Sequence, residues 1–304
     1  MTKFLFKLVC LILFAISSAA CTGDNNSKSD ETNLEKEHLN NNILSITFDD
    51  TDKMYISDVY GNIYIYNDEA LKLFISQNSS SLNYPKTIRH SQTNLFVQDT
   101  YGEAIFVFSI TGQLVNTVSP ILGKFGFIRD FDINSKGQMF IALNDERDKI
   151  IRLNSDGTGY IEFDLTTPSI DAVKSIAFSP DNYVFVGTQT GLYKFSEDGE
   201  YLKAIALRGD SIFYSAEDIA IDPSGNIVVA SYYANDDTTT YLVFNSNDMY
   251  SGFLSLYGYN ELPNWMRDMV YDSSGNFYLI HYLNGIYKFD QSGGFQGIVL
   301  KPRS

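Results

Sequence analysis

Asp218-Ile219-Ala220-Ile221, Asp222-Pro223-Ser224-Gly225-Asn226, Ile227-Val228-Val229-Ala230 is the stretch that decides the fold. An apolar strand enters a polar turn, and a second apolar strand leaves it. Pro and Gly supply the turn conformations, and the β-branched residues beside them suit a pleated, buried surface. The pattern recurs as Asp268-Met269-Val270-Tyr271, Asp272-Ser273-Ser274-Gly275-Asn276, Phe277-Tyr278-Leu279-Ile280. Upstream it reads Ser175–Phe178, Ser179-Pro180-Asp181-Asn182, Tyr183–Val186, and before that Asp130–Ile133, Asn134-Ser135-Lys136-Gly137-Gln138, Met139–Ala142. Two weaker copies precede these. One is Ile46–Phe48, the turn Asp49–Lys53 and Met54–Ser57; the other is Thr87–Arg89, a polar turn near Gln92 and Leu95–Gln98.

Equivalent positions are Met54, Leu95, Met139, Val184, Ile227 and Phe277, with successive spacings of 41, 44, 45, 43 and 50 residues. Each period also holds a third and a fourth strand and no segment of helical periodicity. Repeats of this size predict propeller blades, which bury their faces against neighbours and avoid open edges by closing a ring. The fold class expected is therefore all-β: a six-bladed β-propeller of four-stranded antiparallel blades over residues 43–301. The Asp-x-x-Gly-Asn turn before a strand of Tyr, Val or Ile resembles the NHL repeat, and the resemblance covers nearly all of Ile43 to Leu300. No Trp-Asp dipeptide of the WD type is present; the single tryptophan is Trp265.

Residues 1–20 read as a signal peptide. Lys3 and Lys7 precede the apolar run Leu8–Ile16, which is too short for a permanent span, and Ser17-Ser18-Ala19-Ala20 follow. Small residues directly before Cys21 resemble a bacterial lipobox, which implies acylation of Cys21. Ser18 stands where that motif usually has Leu, and Ser18 with Ala20 also fits ordinary signal cleavage, so a secreted form is the alternative. Cys10 lies in the segment to be removed, which leaves Cys21 as the one remaining cysteine and rules out an intrachain disulfide. Thr22–Asn42 is polar and cannot bury a core, so residues 21–42 read as an acylated cysteine and a disordered tether. The expected location is the cell envelope, outside the cytoplasm, with membrane contact through the N-terminal lipid anchor only.

Without Lys3 and Lys7 the chain carries 20 basic and 37 acidic side chains, a balance of −17. This charge argues against a nucleic-acid partner.

Propeller topology sorts the connections. Turns between first and second strands, and between third and fourth, share one face; here they are short and stereotyped, as at Ser109–Gly112, Asn154–Gly157, Ser196–Gly199 and Asp290–Gly293. The opposite face takes the longer loops, where binding residues concentrate. Its loops hold Tyr84, Phe125, Phe127, Phe213, Tyr214, Tyr232, Tyr233, Tyr257, Tyr259 and Trp265. The entries to the innermost strands share that face and carry Lys86, Arg129, Asp130, Lys174, Glu217, Asp218, Arg267 and Asp268. These charges form either a self-paired ring at the channel mouth or a polar socket for a ligand.

The main expectation is a non-enzymatic module that binds a protein, peptide or glycan of the cell envelope through this aromatic face and the mouth, with no cofactor. The alternative is a metal-dependent hydrolase or lyase. Resemblance to lactonases of the gluconolactonase type implies a divalent metal on the channel axis held by carboxylates such as Asp130, Asp218 and Asp268. The opening Ile43-Leu44-Ser45 lacks the early glutamate of that family. Resemblance to streptogramin and peptide-amidating lyases implies catalytic histidines. The chain has His38, His90 and His281, and of these only His281 is expected on the loop-rich face. The runs Asp49–Asp52 and Asn235–Asp237 lack calcium-loop spacing.

Overall fold

A computed structural model describes residues 42–67, 70–80, 82–100, 104–118, 127–144, 148–166, 170, 172–208, 213–233, 238–256, 266–281 and 285–300. The signal, Cys21, the tether before residue 42, and Trp265 fall outside the described residues.

Within them, 24 strands form six four-stranded antiparallel sheets, each built from four consecutive strands. The one helical element is a single turn, Gln77–Ser80. The first strand of each sheet is innermost: β1 (Ile43–Phe48), β5 (Pro85–Ser91), β9 (Phe127–Ile133), β13 (Val173–Phe178), β17 (Asp218–Ile221) and β21 (Met266–Tyr271). These six contact one another in order around a ring, and β21 returns to β1. The expected six-bladed propeller is therefore the observed fold.

The repeat also holds in register. Phe48 pairs with Met54, His90 with Leu95, Ile133 with Met139, Phe178 with Val184, Ile221 with Ile227, and Tyr271 with Phe277. These are the six positions aligned from sequence. The first residue of each turn explains the pattern between them. Asp222 Oδ1 accepts the Ser224 and Asn226 amides at 2.8 Å each, and its Oδ2 accepts Asn226 Nδ2 at 2.8 Å. Asp272 holds Asn276 in the same way, and Asn134 accepts the Lys136 and Gln138 amides. The glycine that follows adopts positive φ, +82° at Gly225 and +77° at Gly275.

The same turn recurs where the repeat did not place it. Asp58-Val59-Tyr60-Gly61-Asn62 joins the second and third strands of blade one, on the loop-rich face, with Asp58 accepting the Tyr60 and Asn62 amides. Gly61 has φ +85°, and a Cβ there would lie 2.3 Å from the Leu82 carbonyl oxygen. Gly61→Ala is expected to cost about 2–3 kcal/mol of unfolding free energy, read from the urea midpoint, because left-handed strain and a backbone clash add.

Each blade seam carries one apolar cluster, so the core is a ring of six wedges. Among the described residues no strand is exchanged between the first and last blades. Closure instead rests on packing of Ile43, Ile46 and Tyr64 against Tyr278, Ile280 and Leu300. Polar ties assist: Ser273 donates its amide and hydroxyl to Asp52 at 2.9 and 2.6 Å.

Candidate functional site

The innermost strands carry alternating polar residues at equivalent positions: Ser45, Thr87, Asp130, Ser175, Asp218 and Asp268. Most of these bridge to the next blade. Ser45 Oγ accepts the Ile88 amide at 3.1 Å, and Asp130 Oδ2 accepts the Ile176 amide at 3.0 Å. Asp268 Oδ2 accepts the Ile46 amide at 3.2 Å and the Ser45 hydroxyl at 2.5 Å. Asp132, two residues further in, accepts the Phe178 amide at 2.7 Å. Asp218 is different. Its Oδ1 accepts only the adjacent Ile219 amide, and its buried Oδ2 has no hydrogen-bond partner among the described residues.

Arg89, from the middle of β5, lies among these carboxylates. Its guanidinium is 4.0 Å from Asp130, 3.7 Å from Asp132 and 3.8 Å from Asp268, and it donates to the Ile88 carbonyl at 2.9 Å. A buried arginine is stable only when paired. Burial disfavours its charge, but Asp268, Asp130, Asp132 and Asp218 more than compensate and raise its pKa further. One cation does not satisfy four carboxylates. Burial, then the charges of Asp268 and Asp130, hold the Asp218 pKa well above the carboxylate range. Burial also raises Asp268, against the pull of Arg89, and pushes Asp132 up to about 6.

This has a sign that can be tested. A carboxyl whose pKa is raised by folding binds more protons folded than unfolded, so stability falls as pH climbs from the unfolded value of 3.8 through the folded value. For Asp132 that window runs from 3.8 to about 6. The urea midpoint should be higher at pH 5 than at pH 8, and Asp132→Asn should reduce the difference. An equal slope in the variant would contradict the assignment.

Above Arg89, on the loop-rich side, the channel widens into a cavity of about 320 Å³. Lys86, Asp130, Glu217, Asp218, Arg267 and Asp268 all line it, as do Tyr84 and Thr100. Lys86 donates to the Arg129 carbonyl, and burial pulls its ammonium below the usual lysine range, with the carboxylates of Asp130, Asp218 and Asp268 opposing. Arg129 itself is exposed. Lys174 is ion-paired with Glu217, which also accepts the Ser215 hydroxyl at 2.8 Å. Below Arg89 the channel opens on the other face over Phe48, Ile133, Phe178, Ile221 and Tyr271, a depression of about 590 Å³. Asp49, Asp50, Asp52, His90, Asp222 and Asp272 also line it, so that end is mixed in polarity.

Other expected site residues are not at the mouth. His281 is buried in blade six, edge-on to Tyr287 at 6.4 Å, with its pKa lowered by burial; it does not line the cavity. Phe213 is fully buried in the seam between blades four and five, and so is no part of an exposed aromatic patch. Tyr232 is half-buried and also does not line the cavity. The Tyr233 side chain and Trp265 lie outside the described residues. Sequence reasoning passed over Arg89 and Asp132. The available signal was a charged residue directly after Ile88 in a strand whose neighbours must be buried.

The divalent metal implied by the lactonase resemblance does not fit. A guanidinium already stands between the carboxylates that would hold it, and no group of three or more His, Cys, Asp or Glu side chains among the described residues is arranged to bind a metal.

No family model and no curated protein matches the chain by sequence. Solved structures do match. A gluconolactonase from Xanthomonas campestris aligns with TM-score 0.60 at 14% identity, over 80% of this chain and 84% of that one. A streptogramin B lyase aligns with TM-score 0.61 at 14% identity, over 85% and 83%. A catalytically inactive virginiamycin B lyase from Staphylococcus aureus, solved with quinupristin, gives 0.60 at 11% identity, over 85% and 84%. At these identities the likeness establishes the fold. The main functional expectation is corrected in one respect: these neighbours are named as a lactonase and lyases, and they back a hydrolase or lyase better than the expected non-enzymatic binding module.

Proposed function

We propose that the chain is an enzyme of the lactonase or lyase kind, which opens an ester-containing ring at the loop-side channel mouth by acid–base chemistry of its own side chains. The observation that carries this reading is Asp218: a part-buried axial carboxyl with its buried Oδ2 unpartnered among the described residues, in a polar cavity, with its pKa raised. A carboxyl whose protonated form burial favours is suited to act as a general acid. Lys86, whose pKa burial lowers, supplies the base, and Arg267 supplies a cation for the substrate carbonyl or carboxylate.

In hydrolysis, Lys86 takes a proton from water, the water oxygen bonds to the carbonyl carbon, and the ring C–O bond breaks as Asp218 protonates the leaving alkoxide. In elimination, Lys86 takes a proton from carbon, a C=C bond forms, and the carboxylate leaves. Incubation with a panel of lactones and cyclic depsipeptides, read by mass spectrometry, separates the two. Hydrolysis adds the mass of water, whereas elimination leaves the mass unchanged and creates an unsaturated product. Absence of turnover across the panel would overturn the proposal.

The Asp-x-x-Gly-Asn turns and the lipobox-like segment support a finer reading, an NHL-type propeller held at a bacterial membrane through acylated Cys21. Cys21→Ser should move the protein from the membrane fraction to the soluble one. Unchanged fractionation would count against the anchor.

A further inference from the structure

Tyr241 stands behind Asp218 in the same blade. Asp218 pairs in register with Ala230, and Ala230 with Tyr241, so the three residues form one row across the first three strands of blade five. Directly opposed residues of antiparallel strands project to the same face of the sheet. That face packs toward blade six, where Ala230 and Tyr241 join Met269, Phe277 and Leu279 in one apolar cluster, and the Phe277 ring stands edge-on to Tyr241 at 6.4 Å. Between the carboxyl and the phenol lies the small side chain of Ala230, fully buried. Each end of the row carries a buried oxygen with no hydrogen-bond partner among the described residues, Asp218 Oδ2 and Tyr241 Oη. Tyr241 is 3% exposed. A phenol hydroxyl kept there without a partner is costly, and phenylalanine would fill the same seam without that cost. The two groups also interact: burial, and then the charge of Asp218, raise the Tyr241 pKa.

We infer that Tyr241 is a positioning residue for Asp218: one ordered water bridges the Tyr241 hydroxyl and Asp218 Oδ2 over the Ala230 methyl, and through it the phenol donates to the carboxylate. Two polar atoms on one face of a sheet, separated by a small alanine, give such a water its partners. Asp218 Oδ1 is already held by the Ile219 amide, so Oδ2 is the oxygen the bridge can serve. Hydrogen bonding to the charged form favours it. Tyr241 thus limits how far burial and the charges of Asp268 and Asp130 raise the Asp218 pKa, and it steadies the carboxylate left when the proton is given up. The other charges facing Asp218 are Arg89 and Lys86 of blade two, with Glu217 and Arg267 lining the same cavity. A change at position 241 leaves all of them in place. The inference deepens the proposed function and rests on Asp218 as its acid.

The test is a carboxyl titration of the full chain by NMR, with no substrate. Wild type, Tyr241→Phe and Tyr287→Phe carry carbon-13 at the aspartate carboxyls, and the Asp218 signal is assigned by its loss in Asp218→Asn. Tyr241→Phe keeps the ring and its packing, and it should raise the apparent Asp218 midpoint by about 0.4–1 pH unit, the equivalent of one hydrogen bond. Tyr287→Phe removes a hydroxyl from the same cluster but off this row, and it should leave the midpoint where it is. On a lactone that wild type opens, the basic limb of the kcat/KM profile should move by the same amount in Tyr241→Phe, with KM little changed. An Asp218 midpoint that stays or falls in Tyr241→Phe, or an equal rise in Tyr287→Phe, would overturn the inference. The titration does not depend on turnover. A raised midpoint without activity on any lactone would keep the bridge and sink the proposed function, whereas turnover with an unmoved midpoint would do the reverse.

Discussion

Arg89→Ala, measured in EDTA, is expected to lose about 3–5 kcal/mol of stability, a large share of what a domain has available. The side chain is largely buried, 17% exposed, and has three carboxylates within 4.0 Å. Its removal leaves like charges facing one another in a medium where they repel strongly. The loss should be smaller at pH 5 than at pH 8, since Asp132, whose pKa burial pushes up to about 6, protonates across that range and relieves the repulsion. Arg89→Lys should recover much of it, because a central charge is what the site requires. Urea unfolding at the two pH values reads all three statements. An Arg89→Ala chain within about 1 kcal/mol of wild type would show that the carboxylates are neutralised by other means.

Asp218→Asn is expected to lower kcat by about 10²–10⁴-fold, the usual contribution of a positioned acid or base, while leaving the melting temperature unchanged or raised. The two readouts diverge for a physical reason. Asp218 Oδ2 makes no hydrogen bond among the described residues, so an amide in its place loses no observed partner there and removes a carboxyl whose ionisation the site disfavours. Asp130→Asn should behave differently, because Asp130 accepts the Ile176 amide of the next blade and its change weakens a seam. Loss of rate without loss of stability at Asp218, with loss of stability at Asp130, would separate chemistry from scaffolding. Equal effects of the two substitutions on both readouts would show that Asp218 is structural.

The fold was legible because the blade repeat fixes both period and register. A strand must end where the Asp or Asn turn begins, and the six aligned positions occupy the same place in six sheets. The mouth was partly legible for the same reason: entries to innermost strands converge on the axis, which places Lys86, Asp130, Glu217, Asp218, Arg267 and Asp268 around one cavity. Arg89 was not. Its partners come from blades three, five and six, and no local pattern in Thr87–Arg89 shows which charges lie across the channel. His281 and Phe213 illustrate the opposite difficulty. Position near a loop does not reveal whether a side chain turns outward or into a seam, and both turn inward. The turn at Asp58–Asn62 shows that a motif belonging to one face can be reused on the other.

In the proposed mechanism the channel mouth performs acid–base chemistry through its own side chains, without a metal ion. The direct measurement is the pH dependence of kcat/KM for lactone opening, recorded in EDTA for wild type and Asp218→Asn. The account predicts activity that persists in the chelator and depends on a protonated group titrating well above the ordinary carboxylate range, with that dependence lost in the variant. A wild-type rate abolished by EDTA and restored by a divalent ion, or a profile identical in Asp218→Asn, would contradict it.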